Sequence, residues 1–362
     1  MAVVLVALFF DLIHRPERIG IDFHTYLAAA SVGLQQGWQH LYDQPLIALA
    51  QKQLAPGQWA QPFLSPPSVA WLVAPLTLLP YSIAYGIWAA FTFVALAVAL
   101  AWSGASAGVS RWVAVVGALS PWWVAHAVNV GQVVPLVAAG VVVAWRLLRT
   151  DRDLAAGIAL SLMFLKPNTA ILVPFALLIA GRYRAIAAWL AAGAVLFVFA
   201  FLLLGTHGLS AYITQLRAPL PGGADALTLK GAIGATGIVA FALRLLIVGL
   251  VLVTVFRLRT TIGLVVPVAI IGSLIVSPYL HASDLGLLAA ASWMIWEERP
   301  GLAWRAALAA GWILASPFLF QHGLSPGLNR WPFLEFALLM AIVVVAWRPL
   351  TGAADLRTRA PA

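Results

Sequence analysis

Four short stretches place ionisable or amide side chains in a chain that is otherwise almost wholly apolar: Asp22 in DFHTY, Asn129 and Gln132 in NVGQ, Lys166 in LKP, and His281 with Asp284 in SPYLHASD. Asp22 stands beside Phe23 and Tyr26, whose rings would strip water from its carboxylate, so it is a candidate general base toward a bound hydroxyl. The alternative is an N-cap that serves only its helix. His281 can donate a hydrogen bond to an anion or, protonated, supply a cation. Otherwise Asp284 caps the helix that follows and His281 is a solvated loop residue. A Lys at membrane depth costs roughly 2.5 to 3.5 kcal/mol on insertion scales, so Lys166 calls for a site or an internal partner. Its alternatives are the carbonyl that Pro167 frees one turn back, or snorkelling to the membrane face. Asn129 and Gln132 would hold ligand hydroxyls or cap their flanking helices. Arg217, Lys230 and Arg330 are cations able to hold a lipid phosphate, or plain interfacial anchors.

Other patterns carry nothing. GASAG at 104–108 has the spacing of a nucleophile elbow, but no strand precedes it. The seven His are scattered with no HExxH and no acidic cluster, so no metal site is expected. Cysteine is absent, which removes disulfides, thiolate catalysis and Cys-ligated zinc together.

The elements that must position these residues follow from composition. The 362 residues are 63% hydrophobic and 9% charged, far below the roughly one-quarter charged content of soluble domains. An all-α polytopic membrane bundle is therefore expected, with about 12 spans allowed by about 20 apolar residues per crossing. Although the net charge is +9, the Arg residues cluster in short connections between apolar runs. That pattern is positive-inside topology rather than nucleic-acid binding. We expect one membrane domain over 1–349 and a short polar cytoplasmic tail over 350–362. Residues 1–13 read as a short first membrane helix rather than a removed signal.

The 14–65 segment is the longest non-membrane stretch and forms the first external loop. Within it, Asp22 to Gly37 reads as a helix, with Asp22 at the N-cap and Gly37 closing it. Phe23, Leu27, Ala30 and Leu34 form one apolar stripe with His24, Ser31 and Gln35 off it, which suits a helix lying at a membrane surface. Further spans are expected at 82–102, 112–126, 133–148, 185–205, 231–256, 262–276, 285–296, 302–320 and 333–347. The 154–180 piece is either one kinked helix or a re-entrant pair meeting at Lys166. The Arg residues on both its flanks favour the re-entrant form. The sixteen Trp are expected mostly at span ends, as interfacial belts. Loops at 206–230, 277–284 and 321–332 fall on Asp22's side and can converge there.

DFHTY followed by LYD, then SPP, NVGQ, the Ala156–Gly157 pair with LKP, and SPYLHASD come in an order that resembles the membrane glycosyltransferases of the GT87 type. These are GT-C-fold enzymes similar to bacterial polyprenyl-phosphate-mannose-dependent α-mannosyltransferases. The resemblance spans roughly residues 10–300. It implies a GT-C-like bundle in the bacterial inner membrane and a polyprenyl-phosphate sugar donor, with mannose or another hexose transferred. The acceptor would be a hydroxyl of a glycolipid or glycan, with no cofactor and inversion at the transferred carbon. It further implies Asp22 as base on the acceptor and His281 as a contact to donor phosphate or sugar. Lys166 and Gln132 match family positions without an assigned role. Tyr26, Asn129, Asp284 and Arg217 complete the candidate substrate-binding set. The sequence departs from the family pattern in LSPP, where an aromatic residue usually precedes the prolines. A secondary transporter or flippase for a lipid or sugar is the alternative, and a noncatalytic scaffold a third. Membrane lipid is the expected surrounding partner in each reading, and nucleic acid is not.

Overall fold

In the computed structural model the described residues are 19–217 and 225–347, all of their regular structure helical. The expected helix at 1–13 and the tail at 350–362 lie outside them. In chain order the helices are α1 (Ile21–Gln36), α2 (Gln44–Leu54), α3 (Pro67–Val73), α4 (Tyr81–Ser103), α5 (Gly108–Leu119), α6 (Trp122–Val130), α7 (Val134–Arg149), α8 (Asp153–Leu160) and α9 (Leu172–Ile179). They continue as α10 (Tyr183–Arg217), α11 (Leu229–Ile233), α12 (Gly237–Leu258), α13 (Ile262–Val276), α14 (Gly286–Glu297), α15 (Leu302–Leu314), α16 (Pro317–Gln321) and α17 (Trp331–Trp347).

Fewer helices than expected have the length of a span. Among the described residues four stretches are long and apolar enough to cross: α4, α10, α12 and Leu328–Trp347. A fifth exists if α5 and α6, bent by 63° where Pro121 interrupts them, count as one. The expected figure of about 12 is not confirmed; the described residues hold four or five candidates by length and composition. The chain instead packs shorter helices inside these: α7 has 16 residues, α13 has 15 and α14 has 12. At 1.5 Å per residue they measure only about 18–24 Å, less than a bilayer core of roughly 30 Å. Because protein rather than lipid surrounds them, α7, α13 and α14 are apolar on nearly every face and almost wholly buried.

Two of these inner units are hairpins that turn back on themselves. The 153–179 segment goes in as α8, tightens into 3₁₀ turns at Ser161–Leu165 and Pro167–Thr169, and returns as α9. Its ends are tied together, since Arg182 Nη1 lies 2.7 Å from Asp151 Oδ1 and 3.2 Å from Asp153 Oδ1. The segment is a hairpin of two helices meeting at Lys166 rather than one kinked helix. Gly157 lets α8 press onto α10, where a Cβ would collide with the Ala185 carbonyl. The second hairpin is α13 and α14, whose tip is SPYLHASD and whose open end is joined through Arg149 Nε to Glu298 Oε1 at 3.3 Å. Beside that open end, Glu297 accepts hydrogen bonds from the Ala105 and Ser106 N–H groups at 2.8 and 3.0 Å. GASAG is thus a backbone loop clamped by a carboxylate, not an elbow. The open ends of the two hairpins carry Arg149 and Arg182, and their tips meet through Lys166 and Asp284.

The tryptophans divide between the two environments. Trp88, Trp145 and Trp293 are fully buried rather than interfacial. The Trp145 indole donates to the Gly263 carbonyl at 2.9 Å, and the Trp88 indole to the Gly131 carbonyl at 2.8 Å.

Candidate active site

The cluster is built where α1 meets the turn between α6 and α7. Gly20, at φ +67°, precedes α1 and donates its N–H to the Asn129 carbonyl at 2.7 Å, while Tyr85 leaves no room for a Cβ there. The N-cap is therefore Gly20, and Asp22 lies within the first turn, free of capping duty. On the facing turn Gly131, at φ +76°, lets the backbone close against Phe23, whose own Cβ occupies the space any side chain would need. The two glycines lock NVGQ onto the start of α1.

Gln132 then reaches Asp22, its amide donating to Asp22 Oδ2 at 2.8 Å. Its oxygen accepts from the Tyr26 hydroxyl at 3.0 Å and from the Val133 N–H at 3.3 Å, which fixes the orientation of the amide. Asn129 contributes through its carbonyl, which also accepts from Tyr85 at 2.8 Å, rather than through its amide.

The surface-helix expectation for α1 is overturned. Every residue from Phe23 to Ala30 is buried, because α2, α3 and α4 cover the faces the loop would have left to lipid or water. His24, off the apolar stripe, is satisfied inside the protein by the Gln51 carbonyl at 2.7 Å. Gly37 does end the helix, at φ +97°.

The two hairpin tips complete the cluster. Lys166 is 9% exposed, and its ammonium lies 2.6 Å from Asp284 Oδ1. It neither snorkels nor turns to the carbonyl freed by Pro167. Asp284, fully buried, accepts the His281 N–H on Oδ2 at 2.9 Å, so it braces its own loop and holds Lys166 at once. Asn168 stitches the tips together, its amide 3.4 Å from both Ser277 Oγ and the Tyr279 carbonyl.

The charges of this group act on one another. Burial raises the Asp22 carboxyl above its ordinary value, while Lys166, His281 and the Gln132 hydrogen bond pull it down and Asp284 pushes it up. The His281 ring keeps access to solvent in a recess, yet the crowding of its walls and then the Lys166 charge lower its pKa. Asp284 and Asp22 oppose that shift. The site thus combines a half-buried carboxylate, an imidazole and a lysine within mutual reach, the inventory of proton transfer beside an anion.

Asp22, Tyr26, Gln132, Lys166, His281 and Asp284 come together. Arg217 does not: it ends α10, exposed, beside residues 218–224 outside the described set. Lys230 is held by Asp225 at 2.6 Å, and Arg330 stays on the exposed 3₁₀ turn Leu328–Arg330. Two site neighbours were missed by sequence reasoning. His126 on α6 lies close enough to His281 for their charges to interact, and its cue was a place one turn before Asn129. Tyr279, edge-on to His281 at 6.3 Å, lay inside SPYLHASD. An apolar crevice of about 590 Å³, lined by Trp123, Leu308, Trp312 and Trp331 among others, opens beside α6, the helix that carries His126.

A chain whose described residues are helical, with several membrane-length helices and an acid, a lysine and a histidine gathered in one cluster, is a membrane protein with an enzyme-like centre. The model of glycosyltransferase family 87 matches residues 63–317, and the chain belongs to that family. It is a membrane glycosyltransferase. The match includes Gln132, Lys166, His281 and Asp284, while Asp22 and Tyr26 precede it. No curated protein and no solved structure matched the chain.

Proposed function

We propose that the protein transfers a hexose, mannose being the first candidate, from a polyprenyl-phosphate carrier to a hydroxyl of a glycolipid or glycan on the outer face of the bacterial inner membrane. The observation that carries this reading is the half-buried Asp22 carboxylate, held by the Gln132 amide at 2.8 Å within electrostatic reach of both Lys166 and His281. A transferase using a lipid-phosphate leaving group needs a base beside the acceptor and positive or hydrogen-donating groups beside the phosphate. Asp22 takes the acceptor proton as the acceptor oxygen forms its bond to the anomeric carbon. The bond from that carbon to the phosphate oxygen breaks, and its electron pair leaves on the polyprenyl phosphate. Lys166 and an imidazole N–H of His281 stabilise that oxyanion, and Gln132 aims Asp22. A single displacement of this kind inverts the anomeric centre.

The arginine placement supports the outer side, because the open ends of the two hairpins carry Arg149 and Arg182 while their tips meet at the cluster. The apolar crevice beside α6 suits a prenyl chain whose phosphate lies near His281. A flippase reading shares the buried Lys166 but gives no role to a base aimed by a dedicated amide.

The test is reconstitution of the purified protein in liposomes with synthetic polyprenyl-phosphate hexoses and a glycolipid extract. Mass spectrometry should find a product heavier by one hexose and released polyprenyl phosphate in equal amount. Passage of the intact lipid across the bilayer with no covalent product would overturn the proposal in favour of the flippase.

A further inference from the structure

Four tyrosines around the outer pole spend their hydroxyls on the protein. Tyr26 donates to Gln132, Tyr42 to the Ser65 carbonyl at 2.9 Å, Tyr81 to the Gly20 carbonyl at 3.1 Å, and Tyr85 to the Asn129 carbonyl. Tyr212 and Tyr279 do not: neither phenol has a hydrogen-bond partner among the described residues, and both side chains are half-exposed. They stand near enough that ionising one raises the cost of ionising the other, and Tyr279 stands in the same relation to Tyr26.

Tyr212 also ends a continuous aromatic wall. Its ring stacks on Tyr42 with centroids 4.6 Å apart, Tyr42 packs on Phe63 at 5.4 Å, and Phe63 meets Tyr26 edge-on at 6.4 Å. Through Tyr26 and Gln132 the wall reaches Asp22. The part of α10 that carries Tyr212 leaves the long membrane helix at Gly205, where φ is +59°. It then lies across the external loop, with His207 Nδ1 3.3 Å from the Gln39 carbonyl. Rigid aromatic faces with free hydroxyls beside a polar cluster can pack against the C–H face of a pyranose while hydrogen-bonding its edge.

We infer that Tyr212 and Tyr279 form a subsite that seats a hexose ring of the acceptor, so that the acceptor is a saccharide-bearing molecule rather than a simple lipid alcohol. This rests on the transferase reading. The acceptor is favoured over the donor's own sugar because the aromatic chain joins Tyr212 to the base through Tyr26 and Gln132, while Tyr279, beside His281 and within electrostatic reach of Lys166, borders the donor phosphate.

Two measurements test it. In the reconstituted assay Tyr212→Ala should raise the acceptor KM about tenfold, with the donor KM and kcat little changed, and Tyr212→Trp should restore it. A rise in the donor KM instead would assign the ring to the donor and overturn the inference, as would no change in either KM. Saturation-transfer NMR of the solubilised protein with a panel of methyl hexosides gives a readout independent of turnover. Ring-proton saturation should be seen in the wild type and lost in Tyr212→Ala. If that loss occurs in a protein that transfers nothing, the saccharide seat stands and the transferase reading falls. If no hexoside is saturated in the wild type, the seat itself falls.

Discussion

Replacing Lys166 by Met would leave the fully buried Asp284 carboxylate without its counter-charge, and breaking one side of a buried pair costs about 3–5 kcal/mol. We expect Lys166→Met to lower the unfolding temperature in detergent, and the double variant Lys166→Met with Asp284→Asn to recover most of that loss. Transfer should stay low in both, since neither holds the leaving phosphate. Recovery of turnover in the double variant would return Lys166 to structural duty. The pH profile gives a second test at this scale. A protonated Asp22 cannot accept a proton, so kcat/KM should fall as the pH drops through the Asp22 pKa. That acid limb should sit above the ordinary carboxylate value of 3.8, because burial is the largest influence on Asp22. Lys166 lowers this pKa, so in Lys166→Met the limb should move to higher pH. An unmoved limb would assign it to another group.

At the scale of elements, the contact between α1 and the α6–α7 turn holds Asp22 in place. Gly131→Ala would put a Cβ in the space of Phe23 at a left-handed φ, and should cost a few kcal/mol and most of the activity. Gly86→Ala, on α4 with nothing near its Cβ, should change neither. Thermal unfolding and transfer assays of the pair check this, and equal behaviour would contradict the locking role. The same contact shows what was legible in the sequence. Ile262–Val276 could be read to the residue because a run of apolar side chains ended by SPY has one interpretation. The hairpin at Lys166 was legible from arginines on both flanks of a piece too short to cross twice. The burial of α1 was not, because its apolar stripe is the same whether lipid or protein covers it. The partner of His24 is the backbone of Gln51, 27 residues away, and nothing in the local sequence announces it. The expected span count rests on the same signal. Hydropathy does not distinguish a helix buried by neighbouring helices from one bathed in lipid, so the short helices α7, α13 and α14 read as crossings.

For the molecule as a whole, the absence of cysteine makes topology directly measurable by single-cysteine labelling. Arg152→Cys and Arg184→Cys, exposed on the two flanks of the Lys166 hairpin, should both resist a membrane-impermeant thiol reagent in intact cells. Gln39→Cys, exposed at the other pole, should react. Labelling of Arg152→Cys but not Arg184→Cys would mean that the segment crosses. The tips of the two inner hairpins meet through Lys166 and Asp284, and α1 sets Asp22 within their electrostatic reach, which brings an acid from an early part of the chain to a lysine and a histidine from its middle and later parts. The most direct measurement on this arrangement is hexose transfer from polyprenyl-phosphate hexose by Asp22→Asn in liposomes, beside wild type of equal thermal stability. Loss of a base of this kind should reduce kcat by about 10²–10⁴-fold with the donor still bound. Turnover within a few-fold of wild type would remove Asp22 from the chemistry.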